Sequence, residues 1–296
     1  MAEPVTTETL VTAPVEGAPP IPGAVAELIR ARAGEQLAPL VHGLFRPSLV
    51  LEPVSGEPPA PTAAGPDATV AAGADGAAEA EGTGDADGAV VGRLGGLPAL
   101  PTGTDWPAFA GRPMQLLAQL DCAALAAAFR SAGPDAGGWP LPADGLLLFF
   151  HDEWLSDFSG RGCRVLHVPA GAPPRPAPAA DRSTPAVPAV PVRADWAVSA
   201  PSYQDRELER LFPDDFLVAL DLAQDLAEGL PRPAVRLLGW CDTDTGRPEG
   251  HRPLLQIESG VLAADWGECV NVSFWISDQD LAAGRFDEVR HGFAIA

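Results

Sequence analysis

Cys241-Asp242-Thr243-Asp244-Thr245-Gly246-Arg247 has the C-x5-R spacing of a phosphatase nucleophile loop. In that chemistry, backbone N–H groups and the arginine cradle a dianion beside a low-pKa thiolate. Here Asp242 and Asp244 stand inside the would-be cradle. At ~4 Å each would repel a unit of phosphate charge by ~1 kcal/mol in water, and by ~4 kcal/mol at an effective dielectric of about 20. A turn after a strand is the better reading. Asp242-x-Asp244 also has the start of an aspartyl phosphotransferase nucleophile, but Gly246 stands where that motif wants Thr or Val. As a calcium loop it fails because Pro253 takes the position of the bidentate Glu.

His151-Asp152-Glu153 could ligate a metal or supply an acid/base pair. Successive residues of a strand end alternate sides, so only His151 and Glu153 would converge, and polar termination of a buried strand is the simpler account. Trp266-Gly267-Glu268 offers a flat apolar wall, close backbone approach and a carboxylate. With Gln119, Gln256 and Asp242 it makes the candidate binding cleft: Gln119, Gln256, Trp266, Glu268 and Asp242. The bland alternative puts Trp266 in the core and leaves Glu268 as a solvated loop acid. No residue is assigned a catalytic, cofactor-binding or metal-ligating role, and no cofactor is expected.

All 19 basic residues are Arg, and the chain has no Lys. That removes a Walker A lysine and any Schiff base to a carbonyl or pyridoxal phosphate. GxSxG and HExxH are also absent from the sequence. With 40 acidic residues the net charge is −21, which opposes binding to nucleic acid or an anionic membrane and suits a basic protein partner. Met1-Ala2-Glu3-Pro4 carries no basic n-region or apolar h-region, and no apolar run approaches the ~20 residues of a membrane span. The expected location is cytoplasmic. Cys122, Cys163, Cys241 and Cys269 show no CxxC pattern and read as reduced, buried thiols.

The elements that must position these residues follow from periodicity and punctuation. Residues 1–22 are Pro-rich, acidic and expected to be disordered. The remainder, 23–296, reads as a single domain, interrupted by a disordered insertion at 56–90 and a Pro-rich segment at 170–191 with seven prolines. Helices are expected at Ala24 to Leu44, weakened or split by Gly34, at Cys122 to Phe129, Asp205 to Leu211 and Asp214 to Glu228, and from an Asp278 cap to Ala283. Strands are expected at 48–51, 116–120, 145–150, 163–168, 235–240, 254–258, 270–276 and 286–295. Arg93-Leu94-Gly95-Gly96-Leu97-Pro98-Ala99-Leu100-Pro101 reads as a shaped loop, because adjacent glycines and prolines fix an irregular backbone.

One pattern recurs. Leu117-Ala118-Gln119-Leu120 parallels Leu255-Gln256-Ile257-Glu258. Each is preceded by an Arg-Leu-Gly element, at Arg93 and Arg236, and followed by an apolar strand with aromatics, Phe149-Phe150 and Phe274-Trp275. This suggests a degenerate tandem repeat of one β-rich unit.

The loop at Gly95-Gly96-Leu97-Pro98 with Trp106-Pro107, together with Arg46-Pro47-Ser48, Leu141-Pro142, Arg236-Leu237-Leu238-Gly239 and the Trp266-to-Asp287 tail, resembles the YwqG-like family, DUF1963. The likeness runs from about Phe45 to the C-terminus. Departures are Trp240-Cys241, where the family often has Tyr-Pro, and Glu268, where it often has Asp. The resemblance implies an α+β fold with a curved, mostly antiparallel or mixed sheet and a few flanking helices. It carries no catalytic residue, and some members look like neighbours of secreted-toxin systems. The expected function is a non-catalytic binding or interaction protein of immunity type. The alternative is a small-molecule sensor or enzyme using a cleft near Gln256, Trp266 and Glu268.

Overall fold

Leu146 to His151 is six buried residues in a row, so both faces of this strand must be covered. The computed structural model describes residues 18–54, 89–131, 138–152, 160–176, 187–203, 205–241, 247–262, 266 and 269–295. In chain order its elements are α1 (Gly23–His42), β1 (Arg46–Pro53), β2 (Val90–Leu94), β3 (Ala108–Phe109), β4 (Arg112–Pro113), β5 (Gln115–Asp121), α2 (Cys122–Ser131) and β6 (Leu146–His151). There follow β7 (Cys163–Val168), β8 (Val190–Ser199), α3 (Arg206–Glu209), α4 (Phe216–Gly229), β9 (Val235–Leu238), β10 (His251–Glu258), β11 (Cys269–Ser277), α5 (Asp278–Ala282) and β12 (Arg290–Ile295).

Ten strands form one sheet in the order β12-β11-β10-β9-β1-β8-β2-β5-β6-β7. Every pairing in it is antiparallel. The fold is α+β with a curved antiparallel sheet, as the resemblance implied. The order reads symmetrically about its centre. Strands β2-β5-β6-β7 stand on one side of the β1–β8 pair and β9-β10-β11-β12 on the other. β1 pairs with β9 and β8 with β2, so each half lends its leading strand to the other.

The register carries the repeat residue by residue. Arg93 stands opposite Gln119, and Arg236 opposite Gln256. The β5–β6 ladder shifts between Leu116 and Ala118, and the β10–β11 ladder between Pro253 and Leu255, which are equivalent places. A bulge at matching positions re-aims both halves in the same way. After β2, Gly95 and Gly96 take φ of 62° and 77°; at the end of β9, Leu238 and Gly239 take 64° and 74°. The second half thus holds a leucine in the left-handed region that glycine fills in the first, at a steric cost of about 1–2 kcal/mol. A Cβ on Gly239 would run into Ser199 Oγ and Ser48 Cβ, so only glycine fits there.

Side-chain alternation divides the packing. Leu49, Leu117, Leu120, Phe149, Leu237, Leu255, Ile257 and Phe274 share one core on the inner face. Phe149 and Phe274 are separated by six strands in the sheet, yet their ring centroids lie 5.3 Å apart, edge to face. The sheet therefore curls until its two halves meet. Near its edges, His291 N donates to Gly160 O at 3.0 Å and Cys163 Sγ to Val289 O at 3.5 Å. On the outer face, α1 and α4 cover Val198 and Trp196. The segment carrying Leu100, Trp106, Phe109 and Met114 covers Leu116, Leu148 and Phe150.

Several expectations needed correction. Val190–Ser199, for which local pattern predicts no element, is a central strand that starts inside the stretch assigned to the Pro-rich segment. Arg93 and Leu94 belong to β2, and the shaped loop begins only at Gly95. Residues 18–22 fell in the segment expected to be disordered, but Ile21 is buried against the helices and Pro19 O meets His42 Nε2 at 2.9 Å. Ser277, not Asp278, caps α5, its hydroxyl accepting from Asp280 N. Gly34 (φ 71°) breaks α1 into two helical pieces, as expected. Most of the insertion expected at 56–90, namely 56–88, lies outside the described residues, and so do 1–17 and 177–186.

If the inner contact closes the sheet, Phe149→Ala and Phe274→Ala each lower stability by about 3–5 kcal/mol in urea unfolding. The double variant falls short of their sum by about 0.5–1.5 kcal/mol. Strict additivity would separate the two rings.

Candidate functional site

Gln119 and Gln256 occupy equivalent places on the outer face of the two halves, four strands apart in the sheet. The structure does not bring them together. Gln119 Oε1 accepts from Ala99 N at 2.8 Å and Arg93 Nη2 at 3.1 Å, and the same Nη2 donates to Leu97 O at 2.5 Å. Gln119 thus ties the Gly95-to-Ala99 loop onto β5. The loop needs this tie because its own geometry leaves backbone groups without ladder partners.

In the second half the equivalent amide meets a thiol. Cys241 Sγ donates to Gln256 Oε1 at 2.8 Å and lies 3.1 Å from Ser273 Oγ. Beside Gln256 on β9, buried Arg236 donates from Nη2 to Pro231 O at 2.8 Å, and its Nη1 lies 3.4 Å from Ser48 Oγ. Ser48, Arg236, Gln256, Ser273 and Cys241 therefore form a polar band beneath the outer surface, all buried. A cavity of about 40 Å³ borders Arg236, Cys241, Ser199 and Ser202. That is room for a water or two, far below the few hundred Å³ of an ordinary small-molecule site.

Trp266 packs in the inner core with Leu255 and Ile257. These flank Gln256 in sequence, so Gln256 and Trp266 face opposite sides of the sheet. Asp242 and Glu268 lie outside the described residues. The ends of the C-x5-R spacing serve different partners. Cys241 turns to Gln256, while Arg247 puts Nη1 on Asp205 Oδ1 at 2.5 Å and Nη2 on Glu207 Oε1 at 3.3 Å. Burial raises the Asp205 carboxyl above its ordinary range, against the lowering pull of Ser202 and Arg247.

His151 is buried where the two halves meet, its ring 4.6 Å from buried His291, edge to face. Asp152, also buried, lies 3.5 Å from Arg112. Glu153 lies outside the described residues. Among the described residues no group of three or more His, Cys, Asp or Glu is placed to hold a metal. All four cysteines are buried, and none forms a disulfide among the described residues. Burial pushes the Cys122 thiol up to about 12 and Cys269 to about 11. Such thiols are poor nucleophiles.

Sequence reasoning missed the arginines around Trp240. The Arg46 guanidinium carbon lies 3.7 Å from the indole centroid and that of Arg247 5.5 Å. The signal was available as Arg46-Pro47 at a strand start and a lone Trp after Leu238-Gly239. Nothing in the sequence linked the two, because tertiary pairing of β1 with β9 is what brings them together.

Among the described residues no helix is long and apolar enough to cross a membrane. A family model described as Domain of unknown function (DUF1963) matches residues 92–293. The match runs from β2 to β12 and leaves out β1, although β1 sits at the centre of the sheet. No curated protein matches the chain.

Replacing Gln119 by Leu strands the Ala99 N–H and one Arg93 donor, and lowers stability by about 1–3 kcal/mol in chemical unfolding. The native protein leaves all four thiols unmodified by a disulfide reagent over hours at neutral pH, and labelling follows the unfolding rate. Fast labelling of any one in the native state would contradict its burial.

Proposed function

The chain belongs to the DUF1963 family, and on that premise we propose that it is a non-catalytic interaction protein for a basic protein partner, with an immunity-type role. One observation carries the reading. At the start of α4, Phe216 and Leu217 stand 54% and 67% exposed. Asp214, Asp215 and Asp221 beside them are exposed too. The helix itself contains no basic residue, and its other acids are Asp225 and Glu228. Two large apolar side chains inside an acidic rim fit a partner that presents an apolar pocket ringed by Arg or Lys. The net charge of −21 would speed its capture.

The internal use of the glutamines supports the same reading. Gln119 and Gln256 are spent on the protein's own loop and thiol, and Trp266 on its core. This weighs against the alternative, a sensor or enzyme working through a cleft at Gln256, Trp266 and Glu268. A cytoplasmic site of action belongs to the same proposal.

Affinity capture from a native lysate recovers a single stoichiometric basic protein, and calorimetry of the purified pair shows affinity falling as salt rises. Phe216→Ala with Leu217→Ala weakens that binding at least tenfold while leaving the unfolding midpoint nearly unchanged. Recovery of no partner across a range of salt, or binding indifferent to the double variant, would sink the proposal.

A further inference from the structure

Trp240 is fixed before any ligand is considered. Its backbone N donates to Ser199 Oγ at 2.9 Å and its Nε1 to Leu44 O at 2.7 Å, and the residue is buried. Against this immobile ring lies the face of the Arg46 guanidinium, at 3.7 Å. Stacking occupies the face of a guanidinium and leaves its in-plane N–H groups for an acceptor. Arg247 approaches the same ring at 5.5 Å.

The three arginines here differ in how their charge is met. Arg247 is held by Asp205 and Glu207, and its Nε donates to His251 O at 3.1 Å. Arg252 has one ion pair, 3.3 Å to the exposed Asp278, while its own Nε is buried with no acceptor among the described residues. Among the described residues Arg46 has no carboxylate within ion-pair distance, and its Nη1 likewise finds no acceptor there. Among the described residues two buried guanidinium donors thus find no acceptor at one end of the sheet, in a chain whose acids outnumber its bases 40 to 19.

We propose that Arg46 and Arg252, backed by Trp240 and Arg247, form a binding site for an oxyanion, the phosphate or carboxylate group of a small ligand. The guanidinium fork suits either group, and two forks from different strands suit a group with several oxygens. The electrostatics agree. Burial lowers Arg46 to about 10, and the charges acting most strongly on it are the repulsive ones of Arg252 and Arg247. The attractive ones of Glu207 and Asp278 are smaller. A bound anion relieves that imbalance. The site shares no residue with the exposed face at Phe216, so it stands or falls apart from the partner reading.

Titration calorimetry of the full chain uses inorganic phosphate in one arm and succinate in the other, with chloride at matched ionic strength as baseline. Saturable binding is expected in at least one arm, and the arm identifies the group. The unfolding midpoint rises with that same anion. Arg46→Gln and Arg252→Gln each weaken binding at least tenfold. Arg285→Gln, a cation paired with Asp280 on the same short helix as Asp278, leaves it within twofold. Should Arg46→Gln fail to fold, Arg252→Gln decides, since its ion-pair partner among the described residues is an exposed carboxylate. Absence of saturable binding in both arms, as when an acid of the chain itself fills the position, overturns the proposal. So does equal weakening by Arg285→Gln, which would mean general charge screening.

Discussion

Eight consecutive residue pairs, from Arg46 with Ser199 to Pro53 with Val192, join β1 to β8 at the centre of the sheet. Each strand also feeds the opposite half, β1 through β9 and β8 through β2. Without this pair both halves would end in an open edge, with a row of backbone donors and acceptors left to water. The outer layers lean on it as well. Trp196 and Val198 of β8 receive the helices, and Ser48 of β1 sits beneath the buried Arg236. The family match starts only at residue 92, yet the sheet it describes is incomplete without residues 46–53.

What could be read from the sequence was what local pattern determines. β6 is an apolar run as far as His151, and such a run needs covering on both faces wherever it falls, while β7 alternates buried with partly exposed residues. The break at Gly34 followed from glycine alone. The repeat was visible because Gln119 and Gln256 hold equivalent register positions, each opposite the arginine of its own half, Arg93 or Arg236. β8 was hidden by context. Val192, Arg193, Ala194, Asp195 and Trp196 alternate as a strand should, but Pro188 and Pro191 extend a low-complexity stretch into its start. Pro191 is tolerated there because the β2 ladder shifts register beside it.

The candidate site was legible by residue type and misplaced by role. Polar side chains at strand positions flanked by apolar ones look like ligand groups. A sheet covered on both faces needs the same groups to satisfy its own loops. Gln119 answers a loop N–H and Gln256 answers a thiol, and neither demand shows in a linear sequence. Trp266 followed the same rule, its large apolar area being drawn to the inner core. Stacking of Arg46 on Trp240 joins residues nearly two hundred positions apart and was beyond any local pattern.

The exchanged leading strands give the connectivity of two copies of one unit, joined head to tail, that trade their first strands. Matching sites of the two lobes carry different chemistry: Leu116, Leu148 and Phe150 in one correspond to Pro253, Ser273 and Trp275 in the other. One lobe is thereby greasy and devoted to cohesion, and its twin is wetter, with buried serine, cysteine and arginine.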